Sequence, residues 1–386
     1  MEERTRAYLR GRFGDYYRRT EPLPPPDAHE REWGYIPWTD SPGETMVRHQ
    51  SLLDMGDLES FLARERPRHV YFSAGRYTDP GAGSMSAKDW RGSDVVFDLD
   101  ADHLPSVDPT QATYAEMLAA CKDALFRLLD FLENDFGFED LTIVFSGGRG
   151  YHVHVRDDGI QQLEREARRE IVDYVRGIGL DLDGLVTTEM RGNVTARTLR
   201  TEGGWGKRVH EALLAFVDEV EALPEEQAMT RLQDLEGIGE GRAKTIRGAI
   251  EENREAIEDG NMEAGGPGIR KLVEAITGDV ITEQNAPIDE PVTTDTNRLI
   301  RLPGSLHGGS GLAVRKLSRD ELAEFDPLVD AVPETFVGHE ITVEVTDPGT
   351  FELGGDSFTL PEGVTSVPEY LGVFLMSRGR AEKGQE

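Results

Sequence analysis

Apolar residues recur at helical spacing over 114–136, at Met117, Leu118, Cys121, Leu125, Leu128, Leu129 and Leu132, and the run stops at Gly137. That spacing predicts an amphipathic helix ended by the glycine. Cys121 lies on the apolar stripe, which favours a packed thiol over a reactive one. Residues 1–20 set Tyr8, Leu9, Phe13, Tyr16 and Tyr17 against Arg4, Arg6, Arg10, Arg12, Arg18 and Arg19. The pattern predicts a docked helix with a basic outer face, or alternatively one that touches nucleic acid. Pro22, Pro24, Pro25 and Pro26 end it. Short β-type runs follow at 45–51, 69–73, 94–99 and 141–145, and 151–155 alternates strictly. A helical pattern occupies 163–176. From 210 to 277 strand signals vanish and Glu becomes frequent; 299–302 and 313–317 return to strand character. The expected fold is α/β (α+β), with mixed β-sheets flanked by helices and an inserted helical subdomain. The expected boundaries are 1–210 with 278–350 for a discontinuous core, 211–277 for the insertion, and 351–386 for a C-terminal segment. Its polar tail from Arg378 is expected to fray.

Composition changes the picture in two ways. The 386 residues carry 42 basic and 73 acidic side chains, a net charge of −31; seven of the basic residues are Lys and the rest Arg. With 38% hydrophobic residues the chain can still bury a core. An acidic, Lys-poor, folded chain suits a high-salt cytoplasm, where ions screen surface repulsion over a few Å; the alternative is an acidic protein with basic or metal partners. The global charge argues against nucleic acid as partner unless local sites override it. No stretch approaches the ~20 apolar residues of a membrane span, and MEERTRAYLRGRF has no apolar signal core. A single cysteine excludes an internal disulfide and any multi-cysteine metal site. The expected location is cytoplasmic, with no membrane partner.

Three segments carry candidate chemistry. In DVVFDLDADH (94–103), Asp98 and Asp100 stand at i and i+2 of a strand and so share a face. Paired carboxylates repel, and a divalent ion with a taste for hard oxygen, Mg²⁺ or Mn²⁺, relieves that conflict. The alternative is a strand end running into an acidic turn. In TIVFSGGRGYHVHV (142–155), glycines let backbone N–H groups approach an anion, and Arg149 adds a planar fork suited to phosphate. His152 and His154 share a strand face; they could ligate metal, contact phosphate or be half-buried hairpin residues. In PIDEPVTTDTNRLIRLPGSLHGGSGLAV (287–314), Asp289 supplies a third carboxylate, Arg298 and Arg301 add positive charge, and Ser305 and His307 precede further glycines. Alone, that segment is a polar loop between strands. Together the three suit a nucleoside triphosphate held on metal ions.

At these residues the chain resembles the catalytic small subunit of archaeal and eukaryotic DNA primases. FDLDAD (97–102), SGGRGYH (146–152) and RLPGSLHGGSGL (301–312) stand in that family's order, and REWGYIPW (31–38), MVRHQSL (46–52) and HVYFSAGRY (69–77) are also similar to it. The resemblance covers roughly 1–210 and 280–317. It implies primer synthesis from nucleoside triphosphates on a single-stranded DNA template, and a larger partner subunit. It implies Asp98, Asp100 and Asp289 as metal-binding catalytic carboxylates. Ser146, Arg149, His152, Arg301 and His307 are implied as triphosphate contacts, and Arg48 as a nucleotide contact. Many relatives carry a Cys/His zinc knob after the acidic strand, where this chain has only Cys121, so zinc is expected to be absent. Some relatives place a basic residue where Gly148 stands, and others Lys where Gly309 stands. Losing both weakens local positive potential and leaves nucleotide affinity more dependent on metal.

LEGIGEGRAKTI (235–246) looks like the turn of a helix-hairpin-helix motif, in which N–H groups at a helix start meet a DNA phosphate. Gly239, Gly241, Arg242 and Lys244 would make that contact; the alternative is a plain αα-hairpin. Two rival functions remain. A haloacid-dehalogenase-type phosphatase would use Asp98 as nucleophile and Asp100 as acid/base, but it leaves the Gly-Arg-His turn and 301–312 without roles. A non-catalytic DNA-binding scaffold would not need three placed carboxylates.

Overall fold

The computed structural model of the protein describes residues 1–39, 45–108, 110–191, 194–263 and 266–385. It forms two compact units, each discontinuous in sequence. The first holds Met1–Leu125, Glu139–Arg169 and Pro287–Glu386; the second holds Phe126–Phe138 and Glu170–Ala286. The strands in chain order are β1 (Arg31–Ile36), β2 (Val47–Gln50), β3 (His69–Tyr77), β4 (Trp90–Ser93), β5 (Val95–Asp100), β6 (Leu141–Phe145), β7 (Gly150–Val155), β8 (Val186–Arg191), β9 (Val194–Leu199), β10 (Leu299–Arg301), β11 (Arg315–Leu317), β12 (Glu340–Val345), β13 (Gly349–Leu353), β14 (Asp356–Leu360), β15 (Gly363–Pro368) and β16 (Ala381–Lys383). Helices and antiparallel sheets make this an α+β fold, as the sequence pattern predicts.

The first unit is built on two antiparallel sheets. One has the order β10–β3–β1–β2 with β4 also paired to β3; the other runs β11–β6–β7–β5. Alternation along the second sheet sorts its side chains. Val95, Phe97 and Leu99 of β5, Tyr151, Val153 and Val155 of β7, and Ile143 and Phe145 of β6 share one face, and all are buried. The helix Tyr114–Asp130 covers this face: the Cys121 thiol, on its apolar stripe, donates to Leu99 O at 3.4 Å. Burial raises the Cys121 pKa, with Asp100 and Asp98 adding to it, so it is a core thiol. The opposite face carries Asp98, Asp100, His152 and His154. Val96 on that face packs with Ala74 of β3, Ile300 of β10 and Val292, tying the two sheets together beneath the polar residues.

The N-terminal helix Glu3–Tyr17 buries Leu9, Phe13, Tyr16 and Tyr17 and exposes Arg4 and Arg10. The expected frayed tail is corrected. Ala381–Lys383 forms β16, which pairs with β12 in the sheet β15–β12–β16, and the Lys383 N–H donates to Thr5 Oγ1 at 2.8 Å. Lys383 is buried despite its charge, because a lysine stem can lie along apolar surface. A polar reading of these residues misses that pairing.

The second unit combines the β8–β9 hairpin with the helices Gly204–Ala222, Glu225–Gln233, Glu240–Glu258 and Gly266–Gln284. Val209, Leu213 and Val217 of the first, Ile246 and Ile250 of the third, and Leu272, Val273 and Ile276 of the last are buried. The unit is wider than the insertion expected at 211–277. Phe131 and Trp205 rings stand 5.1 Å apart and Arg208 lies 4.0 Å over the Phe131 ring, which brings distant segments into it. Among the described residues no helix is long and apolar enough to cross a membrane.

Candidate active site

Register places the carboxylates and the Gly-Arg-His turn side by side. Asp98 of β5 is the cross-strand partner of His152 of β7, and Asp100 that of Gly150. Directly opposite residues share a face, and His152 Nε2 lies 3.3 Å from Asp98 Oδ1. β5 is an edge strand, and its free edge is used: the Asp289 N–H donates to Asp98 O at 2.9 Å. Asp289 stands just before the short helix Glu290–Thr294, so the third carboxylate is anchored to the first through the backbone.

The electrostatics distinguish these carboxylates. Burial pushes the Asp98 carboxyl up, but His152, Arg298 and Arg301 more than offset it, and it lies below the usual range. The Asp289 carboxyl lies above that range, raised by burial and then by the negative charge of Asp98, with Asp100 adding to it. This mutual repulsion among hard oxygen donors is what a divalent cation relieves, so the donor chemistry fits Mg²⁺ or Mn²⁺. Among the described residues no three His, Cys, Asp or Glu side chains are grouped to hold one ion.

The turn after β6 needs its glycines. Ser146 N–H donates to Gly150 O at 3.0 Å, and Gly148 N–H donates to Ser146 Oγ at 3.3 Å. Gly147 has φ +75°, and a Cβ on Gly150 would meet Leu99 O at 1.9 Å. Arg149 projects from this turn, about one-third exposed, and pairs with Asp102.

The 301–312 segment folds back on the same turn. Ser310 O–H donates to Gly147 O, and a Cβ on Gly147 would come 2.7 Å from His307 Cβ. His307 therefore sits against the Gly-Arg-His turn. Its Nδ1 accepts from Gly309 N–H at 3.2 Å, which assigns the ring proton to Nε2 and makes that atom a donor. Burial first, then Arg301, His69, Arg68 and Arg149, hold the ring well below its ordinary pKa. His69 is lowered by burial, Arg301 and Arg68; its ring stands 5.1 Å from that of His307. Arg301 lies over the Tyr71 ring at 5.5 Å, and its buried Nε has no hydrogen-bond partner among the described residues. Arg301, Arg68 and Arg149, the last paired with Asp102, gather here beside N–H donors, a chemistry suited to a polyanion.

Asp98, Asp100, Asp289, Ser146, Arg149, His152, Arg301 and His307 thus belong to one neighbourhood of the first unit. Arg48 does not join it. It lies on β2, three strand positions and so ~14 Å from β10, with Nε 3.1 Å and Nη2 3.4 Å from the two carboxylate oxygens of buried Glu32. Arg68 and His69 were not singled out by sequence reasoning; the signal was their position at the start of β3, which pairs with the Arg301 strand. A buried ionic group behind the site was missed as well. Asp94 accepts from Arg31 and Arg156 at 2.9 Å each and lies 3.5 Å from His154, while Arg168 donates to the Asp94 and Ser93 carbonyls. Burial pushes His154 down to about 4 despite Asp94, and its ring stacks on Phe72 at 5.7 Å. His154 is a structural histidine.

In the second unit, Gly239 precedes the helix Glu240–Glu258, and Gly239 and Gly241 have open space at their Cα atoms. Lys244 Nζ lies 2.7 Å from Glu240, and Arg242 donates to Gly237 O.

The family described as DNA primase small subunit matches residues 97–318. The DNA primase small subunit PriS of Haloarcula marismortui is 64% identical over 393 residues, covering 100% of both chains. That of Halorubrum lacusprofundi is 61% identical over 386 residues and that of Methanothrix thermoacetophila 41% over 400, again covering 100% of both chains. The chain belongs to the DNA primase small subunit family.

Proposed function

We propose that this chain is the catalytic subunit of a DNA primase and joins nucleoside triphosphates into short primers on single-stranded DNA. The observation that carries the reading is the meeting of the β5 carboxylates with the cationic cradle of the β6–β7 turn and the 301–312 loop. Asp98, Asp100 and Asp289 would hold Mg²⁺ or Mn²⁺, which supplies Lewis-acid stabilisation of the reacting phosphate and acidifies the attacking 3′-hydroxyl. The chain's own groups do the rest. His152 orients the Asp98 carboxylate. Arg301 and the His307 Nε2–H bind triphosphate oxygens in a site where burial strengthens each contact. Ser146 and the N–H groups of its turn complete the cradle, and Arg149 exchanges Asp102 for phosphate. As pyrophosphate leaves, the same cations neutralise it. Arg48 enters as a nucleotide contact on family resemblance alone. The α-helical hairpin offers template phosphate its bare N–H groups at Gly239 and Gly241, since its cations are already paired.

A larger primase subunit is the expected partner, and the cytoplasm the expected location. The phosphatase reading gives the cradle no role, and the scaffold reading gives the carboxylates none. The test is primer synthesis on an unprimed polypyrimidine strand with labelled triphosphates, Mg²⁺ or Mn²⁺ and high KCl, with the large subunit present. Product from the wild type and none from Asp98→Ala/Asp100→Ala supports the reading. Equal product from both, or none from either, overturns it.

A further inference from the structure

A cavity of about 380 Å³ lies in the first unit, with Arg149 in its wall. Its lining inverts the charge of the chain. In a protein with 73 acidic and 42 basic residues, this cavity is lined by three arginines, Arg149, Arg378 and Arg380, and one carboxylate, Glu352. Each C-terminal arginine is held on an aromatic ring: Arg378 lies 4.4 Å from the Tyr114 ring centroid and 5.2 Å from that of Phe374, and Arg380 lies 5.5 Å from that of Phe351. Such packing orients a guanidinium and leaves N–H groups for an anion, although Arg378 also bonds the Tyr114 hydroxyl. Arg380 also lies 3.4 Å from Asp347, an exposed residue outside the lining. Tyr114 ties the cavity to the catalytic turn, because its O–H donates to Gly148 O at 2.6 Å.

We propose that this cavity is a second phosphate-binding site, taking a nucleotide phosphate through Arg378 and Arg380 next to the site where the first triphosphate binds. The inference rests on the primase reading. De novo synthesis needs two nucleotides and a template strand at one centre, and the phosphate here comes either from the second triphosphate or from the strand. The tail that carries both arginines is fixed by β16, so the guanidiniums are preorganised.

The test uses the full chain and two variants, the double substitution Arg378→Gln/Arg380→Gln and, without disturbing the ring packing, Thr350→Glu on the cavity wall. ATP stoichiometry is measured by equilibrium dialysis, and affinity for an unprimed single strand by fluorescence anisotropy, both in high KCl. If the phosphate belongs to a triphosphate, the wild type binds two ATP per chain and each variant one. If it belongs to the strand, strand affinity falls about tenfold or more, as expected for lost charge-assisted hydrogen bonds. Unchanged ATP stoichiometry and unchanged strand affinity in either folded variant would overturn the proposal. Failure of the primase reading shows separately, as wild-type protein that makes no primer.

Discussion

Two regions of this chain combine glycine turns with basic residues in a pattern suited to phosphate, and they differ in what their cations already hold. In the first unit, Arg301 has a buried Nε with no hydrogen-bond partner among the described residues, and His307 is kept neutral by burial and by surrounding cations. In the second, Lys244 is paired with Glu240 and Arg242 with the Gly237 carbonyl. Exposed pairs of this kind contribute little to stability, but they compete with an incoming phosphate. Arg149 of the first unit is paired with Asp102 as well, so the difference between the two regions rests on Arg301 and His307.

The comparison is tested most severely at the carboxylates. Asp98→Ala/Asp100→Ala is expected to lower primer synthesis by at least ~10²-fold, the scale of losing one preorganised charge-stabilising group. Initial rates on an unprimed strand measure it, and a loss under tenfold would remove these residues from the centre. Next come the cradle residues. His307→Gln and Arg301→Gln should each raise the triphosphate KM about tenfold or more, seen in titrations of nucleotide at saturating template. An effect on stability alone, with KM unchanged, would make them structural.

A smaller effect is expected behind the site. His154 is buried with its pKa lowered to about 4 from 6.5. Unfolded chains therefore bind a proton on this histidine between those values that folded chains do not, so stability is full above about 6.5 and declines as pH falls towards 4. Melting temperatures across that range should drop on acidification, and His154→Gln should flatten the slope; a slope unaffected by the substitution contradicts the assignment. The smallest effect is expected at the hairpin. Gly239→Val/Gly241→Val should change template affinity less than about threefold, since only backbone donors are at stake. A larger loss in anisotropy titrations would restore the hairpin as a main DNA contact. Activity that persists into molar KCl would fit the acidic surface.

Much of the candidate catalytic face was legible from sequence because period-2 alternation is a local property. Asp98 and Asp100 share a face for the same reason that Phe97 and Leu99 share the opposite one. What sequence could not show was pairing across hundreds of residues. Asp289 meets Asp98 through a backbone hydrogen bond, and the Ser310 hydroxyl meets the Gly147 carbonyl. The Asp94 group was hidden because Arg31, Arg156 and Arg168 are ordinary residues in isolation, and only burial makes their pairing obligatory. The C-terminal arginines were passed over because Ala381–Lys383 reads as polar, while its strand pairing with β12 is a tertiary fact.

The most direct measurement compares label incorporation on an unprimed polypyrimidine strand, with the large subunit present, by the wild type, Arg301→Gln and Arg242→Gln/Lys244→Gln. The account predicts that the Arg301 variant loses most synthesis at subsaturating triphosphate while the hairpin variant stays close to wild type. Synthesis retained by the Arg301 variant and lost by the hairpin variant would contradict it.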